Sequence, residues 1–214
     1  MRKYLYFIRN GHSLHNSLYT KNGINSLYSS RVIDAPLTKK GIYQAHKLKQ
    51  EMKDKKVDLV LVSPLQRALE TANIAFHDRM VPIISKEYLR EYPMGEQLCN
   101  MRSHIERMKY VYPRIDFSDI RSNKDIFWKK RGETLHNLMV RAHTIEKYIL
   151  QIPEKHIVLV GHESFMSHFK DGSPKYTGDG NTVPERCEIT CMVIRKKKQI
   201  YDEESLKSKP CFGV

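Results

Sequence analysis

"YFIRNGHSLHN", residues 6–16, changes character at its midpoint. Its apolar and aromatic start suits a covered β-strand, and its polar end could grip an anion. Arg9 closes the strand, Asn10-Gly11 stops it, and Ser13 and Asn16 follow at fixed spacing. The Arg-x-Gly-x-Ser-x-x-Asn run leaving the strand gathers a cation and small polar side chains at one strand end, and raises the question of what the carboxamide of Asn10 does among them. Asn-Gly is also a strong hairpin signal. Here "SLHNSLYTKN" supplies no convincing return strand.

The same strand-to-polar transition recurs along the chain. "KYLYFIR" (3–9), "VDLVLVS" (57–63) and "HIVLVGH" (156–162) are apolar runs of strand length. Between them lie helical patterns. Thr38 can cap a helix to about Lys53, with Ile42, Ala45, Leu48 and Met52 on one stripe. Ser63-Pro64 reads as a cap and first-turn pair for a helix to about His77. Glu133 to Ile152 carries Leu135, Leu138, Met139, Ala142, Ile145 and Ile149 at helical spacing. Short strands are expected near "VPIIS" and ending at "EYLRE", and a short helix and a terminal hairpin after His162. The expected fold is α/β, a three-layer α/β/α sandwich with a mostly parallel central sheet. Residues 1–214 read as one domain, with 93–131 as an irregular or partly helical cap or insertion over the site.

In such a sheet, ligands lie beyond the carboxyl ends of the strands. Three strand ends carry site-like residues: Arg9-Asn10-Gly11, Ser63-Pro64 leading to Arg67, and Gly161-His162-Glu163. Two arginines and a histidine would meet at one rim beside helix N-termini that favour anions. A phosphate pocket follows.

Composition narrows the partners. The 214-residue chain has 40% hydrophobic and 29% charged residues and a formal net charge of +13, which attracts negatively charged ligands. No run approaches the roughly 18 apolar residues of a membrane span. The N-terminus lacks a signal-peptide pattern, and Cys99, Cys187, Cys191 and Cys211 lack metal spacing, so a cytoplasmic protein with reduced thiols is expected. Cys187 and Cys191 in "CEITCMVIR" are read as core residues sharing one strand face. Arg195 to Lys198 reads as a solvated hairpin tip; a nucleic-acid patch is the weaker reading, since no aromatic residues interleave with it.

These segments together resemble the histidine phosphatase, or phosphoglycerate mutase-like, superfamily. Its opening motif Arg-His-Gly-x-Ser-x-x-Asn is matched by Arg9, Gly11, Ser13 and Asn16 but not by Asn10. "DAPLTKKGIYQA" (34–45), "SPLQRALETA" (63–72), "LRE" (89–91) and "VLVGHESF" (158–165) resemble later family segments in the same order. In the insertion, "GEQLCNMRS" (95–103) and "YPRIDFSDI" (112–120) resemble a eukaryotic branch, with Asn100 where that branch carries Asp.

The resemblance implies phosphoryl transfer in two steps, through a phosphohistidine and then water. It assigns Arg9, Arg67 and His162 to the phosphate oxygens, together with Ser13 and Asn16, and Glu91 to protonation of the leaving oxygen. Arg102 would add positive charge near the leaving group. No metal or cofactor is implied, and the partner would be a phosphorylated small molecule or phosphoprotein.

Asn10 is the departure. Its amide lone pair is delocalised, so it cannot be the nucleophile, and catalysis by that route is expected to be blocked or crippled. His12 and His15 are close in sequence but are not expected to replace it, because position 12 lies past a glycine and off the strand end. Two readings stand at this level: a phosphatase in which Asn10 was substituted for histidine, or a natural pseudophosphatase serving as a phosphate-binding or regulatory module.

Overall fold

The computed structural model describes residues 2–172 and 186–195. Six strands form one sheet: β1 (Arg2–Arg9), β2 (Leu59–Val62), β3 (Ile83–Ser85), β4 (Ile115–Asp116), β5 (His156–Gly161) and β6 (Ile189–Arg195). Their order is β4-β3-β2-β5-β1-β6, and every pair is parallel except the antiparallel β1–β6 edge.

Alternation along the central strands divides the core into two halves. Ile8, Val60, Val62, Val158 and Val160 face one way. They pack on α2 (Lys39–Glu51), α3 (Gln66–Ala75) and α4 (Ile105–Val111) through Leu48, Leu69, Phe76 and Met108. Leu5, Phe7, Leu59, Leu61, Ile157 and Leu159 face the other way. They meet α5 (Leu135–Gln151) and α6 (Glu163–Gly172) through Leu138, Ile145, Ile149, Phe165 and Phe169. Because both faces are covered, these strands are apolar without polar alternation. The expected three-layer sandwich is the observed one.

Several local expectations are corrected. Helix α3 starts at Gln66 with Leu65 in the cap position, so Ser63-Pro64 is not its cap and first-turn pair; Ser63 is buried, and its hydroxyl touches the helix start only by accepting from Leu65 N–H at 3.4 Å. "EYLRE" is not a strand: Glu87–Leu89 is a single 3₁₀ turn, tied by the Glu87–Arg90 ion pair at 2.7 Å. The insertion carries the helix α4, as its partly helical reading allows, and also the edge strand β4, which that reading does not include. Ile42, Leu135 and Met139 are exposed, while the rest of each predicted stripe is buried. Cys187 and Cys191 do not share a strand face: Cys187 precedes β6 with φ of 62° and is buried, whereas Cys191 is exposed. Beyond Arg195 the basic run, and Cys211 with it, lie outside the described residues.

Two glycines fix the turn after β1. The turn packs backbone to backbone on the start of α2, where Thr38 N–H donates to His12 O at 2.9 Å. A Cβ on Gly11 would stand 2.8 Å from Gly41 O, and one on Gly41 would overlap His12 O. Any larger residue at either place would push the strand end away from the helix.

Candidate active site

The registers bring three strand ends side by side. Ile8 pairs with Val160 and Val160 with Val62, so Asn10, His162 and Ser63 emerge from adjacent strands β1, β5 and β2. All three are buried. Asn10 N–H donates to Gly161 O at 2.9 Å, and its side-chain Nδ2 donates to Gly11 O at 2.8 Å. The carboxamide oxygen therefore faces His162, where Oδ1 lies 2.8 Å from Nδ1. An oxygen acceptor there requires the proton on Nδ1. Nε2 is then the acceptor, and Ser63 Oγ donates to it at 2.7 Å. Burial, reinforced by the charge of Arg67 and by His15, Arg141 and Arg90, holds the His162 pKa well below its ordinary value. His162 is thus a neutral imidazole in one tautomer.

Arg67 projects from the first turn of α3 and is 2% exposed. Its Nη1 donates to Cys99 O at 2.7 Å and its Nη2 to Asn100 Oδ1 at 3.1 Å. Asn100 in turn donates to Pro93 O at 3.0 Å, so the insertion is anchored on this guanidinium. Arg9 pairs with Glu163, the first residue of α6. Glu91 Oε1 accepts from the backbone N–H groups of Tyr92, Ser164 and Phe165 at 2.9, 3.1 and 3.2 Å, placing it at the N-terminus of α6. Burial raises its pKa; Arg67, these N–H donors and Arg141 offset that only in part.

The turn into α1 (Leu14–Asn22) forms a closed hydrogen-bonded ring. Asn16 Oδ1 accepts from Ser13 N at 3.0 Å and Ser13 Oγ at 2.8 Å. His15 Nδ1 lies 2.7 Å from Ser13 Oγ, and His15 Nε2 lies 3.0 Å from Asn16 Nδ2. His12 turns the other way, with Nδ1 2.9 Å from Thr38 Oγ1 at the cap of α2.

Arg102 is not at this rim. Its guanidinium is buried and every N–H is spent: Nε on Glu87, Nη1 on Ser103 O and Asn123 O, Nη2 on Ser122 O and Lys124 O. With no donor left it holds the insertion together instead of meeting a leaving group. Sequence reasoning missed two other arginines. Arg141 sits on the buried stripe of α5 and binds Glu133, Tyr88 O and Arg90 O, which fixes the turn before Glu91. An arginine between Leu138 and Ala142 on an apolar stripe was the available signal. Arg186 lies in the field of Arg9 and Glu163; nothing local in the sequence marked it.

Among the described residues no cluster of His, Cys, Asp or Glu could hold a metal ion, and no helix is long and apolar enough to cross a membrane. What remains is a rim of fixed cations, neutral imidazoles and one elevated carboxyl at adjoining strand ends.

Comparison with known proteins agrees with this geometry. The profile of the histidine phosphatase superfamily (branch 1) matches residues 5–197. The chain belongs to that superfamily. It is 26% identical to phosphoglycerate mutase-like protein 1 of Arabidopsis thaliana, across 97% of this chain and 86% of the relative. Among solved structures, the alpha-ribazole phosphatase of Shigella flexneri is 26% identical, with a TM-score of 0.51 covering 78% of this chain and 76% of that one. The phosphoglycerate mutase of Bacillus anthracis shares the fold at 20% identity, with a TM-score of 0.62 covering 91% and 88%.

Proposed function

We propose that this chain binds phosphomonoesters at the shared carboxyl edge of β1, β5 and β2. In this reading Arg9 and Arg67 are the oxyanion-facing groups, joined by His162 when its Nδ1–H turns from Asn10 Oδ1 to the bound anion; Ser13 and Asn16 hold the loop around them, and Glu91 is the proton donor to the leaving oxygen. Residues 93–131 act as a cap over the site within one domain. The observation that carries the reading is the convergence of Asn10, Ser63 and His162, with Arg67 coupled electrostatically to His162 and Glu91. Guanidinium keeps its charge and offers a planar fork for phosphate oxygens.

Covalent catalysis through position 10 is closed, because a carboxamide nitrogen has no available lone pair and here already donates to Gly11 O. Without turnover, the same pocket is a phosphate-dependent binding module for a phosphorylated small molecule or phosphoprotein. Calorimetric titration with inorganic phosphate and p-nitrophenyl phosphate tests the proposal. Saturable binding weakened at least about tenfold by Arg67→Ala and by Arg9→Gln supports it. Absence of binding, or indifference to both changes in folded protein, overturns it.

A further inference from the structure

Two cavities lie between α5 and the insertion. The first, of about 470 Å³, is lined by Lys86, Arg121, Ile145 and Tyr148 among others. The second, of about 350 Å³, is lined by Met94, Lys129, Val140 and Arg141 among others. Tyr88, Ile126, Phe127 and Thr144 line both, so the two are halves of one groove. Their divider is the Tyr88–Phe127 pair, edge to face with ring centroids 6.3 Å apart. Asn10, Arg67, Glu91 and His162 line neither half.

The groove is preformed and apolar. In its floor Arg141 bridges Glu133 at 2.7 Å and Tyr88 O at 2.8 Å, which ties the helix to the opposite wall. Ile126 is 54% exposed and Val140 52%, one on each side. Apolar side chains facing solvent inside a charged rim mark an interaction site.

Exposed charge in the insertion wall is of one sign. Residues 119–133 carry five cations, Arg121, Lys124, Lys129, Lys130 and Arg131, all exposed. The three acids of that stretch are each held in an ion pair: Asp119 by Lys86, Asp125 by Arg90 and Glu133 by Arg141. Such a wall complements a ligand that is apolar where it enters the groove and negative where it leaves it. Helix α5 lines the groove from Asn137 to Tyr148, about 16 Å at roughly 1.5 Å per residue. About five extended residues cover that distance, so the groove has the reach of a peptide. A second copy would bring the same five cations into an isologous contact, where they repel.

We infer that this groove docks an acidic segment of a partner protein. One apolar side chain of that segment enters each half, against Tyr88 and Phe127, and its carboxylates meet the cations of 119–133. Docking here is separate from phosphate binding, and the two can fail independently.

The test is fluorescence anisotropy of the full chain with a labelled polyglutamate peptide carrying one phenylalanine and one leucine a few residues apart. Two matched peptides replace every glutamate by lysine, or both apolar residues by alanine. Saturable binding of the first peptide is expected, with a dissociation constant on the order of 10 µM. Each matched peptide should bind at least about tenfold more weakly. The same loss is expected for the acidic peptide with Val140→Asp and with the double change Lys129→Glu and Lys130→Glu. Inorganic phosphate should bind Val140→Asp within about threefold of the parent by calorimetry. Absence of peptide binding, equal binding of either matched peptide, or indifference to either variant in folded protein overturns the proposal. Dimerisation in sedimentation velocity that Val140→Asp abolishes also overturns it, and gives the groove to a second copy. Capture by phosphatidylserine vesicles that Val140→Asp abolishes overturns it in favour of a membrane surface.

Discussion

Ser63 Oγ and His162 Nε2 meet at 2.7 Å in the core of the rim, and the serine is the donor because Asn10 Oδ1 holds the imidazole proton on the opposite nitrogen. The hydroxyl that looked like a helix cap instead satisfies a buried acceptor. Ser63→Ala should therefore lower stability by about 1–3 kcal/mol, the cost of an orphaned buried polar atom. Helix α3 should stay intact, because its start leans on this side chain only through the long Leu65 N–H to Ser63 Oγ bond at 3.4 Å. Urea unfolding measures the first effect and backbone amide exchange across 66–75 the second. Fraying of α3 with His162 unaffected would return Ser63 to the capping role.

Asn10→His should raise turnover of p-nitrophenyl phosphate by on the order of 10³ or more, since the loss of a nucleophile from a cooperating site costs that much or more. His162 lies beside position 10, and the strand end is fixed by the Asn10–Gly161 backbone bond at 2.9 Å. Steady-state assays on purified proteins of equal melting temperature check this. A substituted chain no more active than the parent would mean that Arg67, His162 and Glu91 do not form a competent phosphatase site.

Much of this was legible because it is periodic or sits at a strand end. The covered strands could be read from apolar runs, and Arg9, Arg67 and His162 from where those runs stop. The rest depends on partners distant in the chain. Arg102 sits in a polar stretch, yet it folds inward because Glu87 and four backbone carbonyls fill its donor set. Nothing in "NMRS" announces those carbonyls. The ring of His15 with Ser13 and Asn16, which fixes the imidazole tautomer, exists only once α1 has turned.

Arg102→Ala should destabilise the fold by about 3 kcal/mol or more, because it strips a buried cation from Glu87 and removes donors from the carbonyls of Ser122, Asn123 and Lys124. Phosphate affinity of the folded protein should change by less than about threefold. Thermal melts and calorimetry below the transition separate the two effects. Weakened binding with unchanged stability would restore the assignment of Arg102 to the leaving-group side.

Acid should unfold the chain earlier than its carboxylates alone would require. His15 and His162 have folded-state pKa values below the ordinary histidine value of 6.5. The unfolded chain therefore takes up protons first as pH falls. The stability contributed by the neutral rings is present above that value and is lost as pH drops toward the folded values, for His15 down to about 2. Each ring adds a slope of up to about 1.4 kcal/mol per pH unit. Replacing His15 by Gln should remove close to one proton from the slope between about pH 6 and pH 5. Urea titrations across that interval decide it, and equal slopes would mean that His15 protonates in the folded chain.

Glu91 sets stability against activity. Burial raises its pKa in the folded state, so its contribution favours folding below the ordinary carboxylate range and is lost as pH rises through the folded value. At neutral pH an ionised Glu91 is a cost that Glu91→Gln removes. The glutamine carbonyl can still accept from Tyr92, Ser164 and Phe165. That variant should melt higher than its parent at neutral pH, with the gain vanishing in acid. In the Asn10→His background it should lose about 10²-fold or more in turnover of alkyl phosphates, whose leaving oxygens need a proton. It should lose far less with p-nitrophenyl phosphate, whose phenolate departs unaided. An equal loss on both substrates would show that Glu91 only positions the turn before α6 and donates no proton.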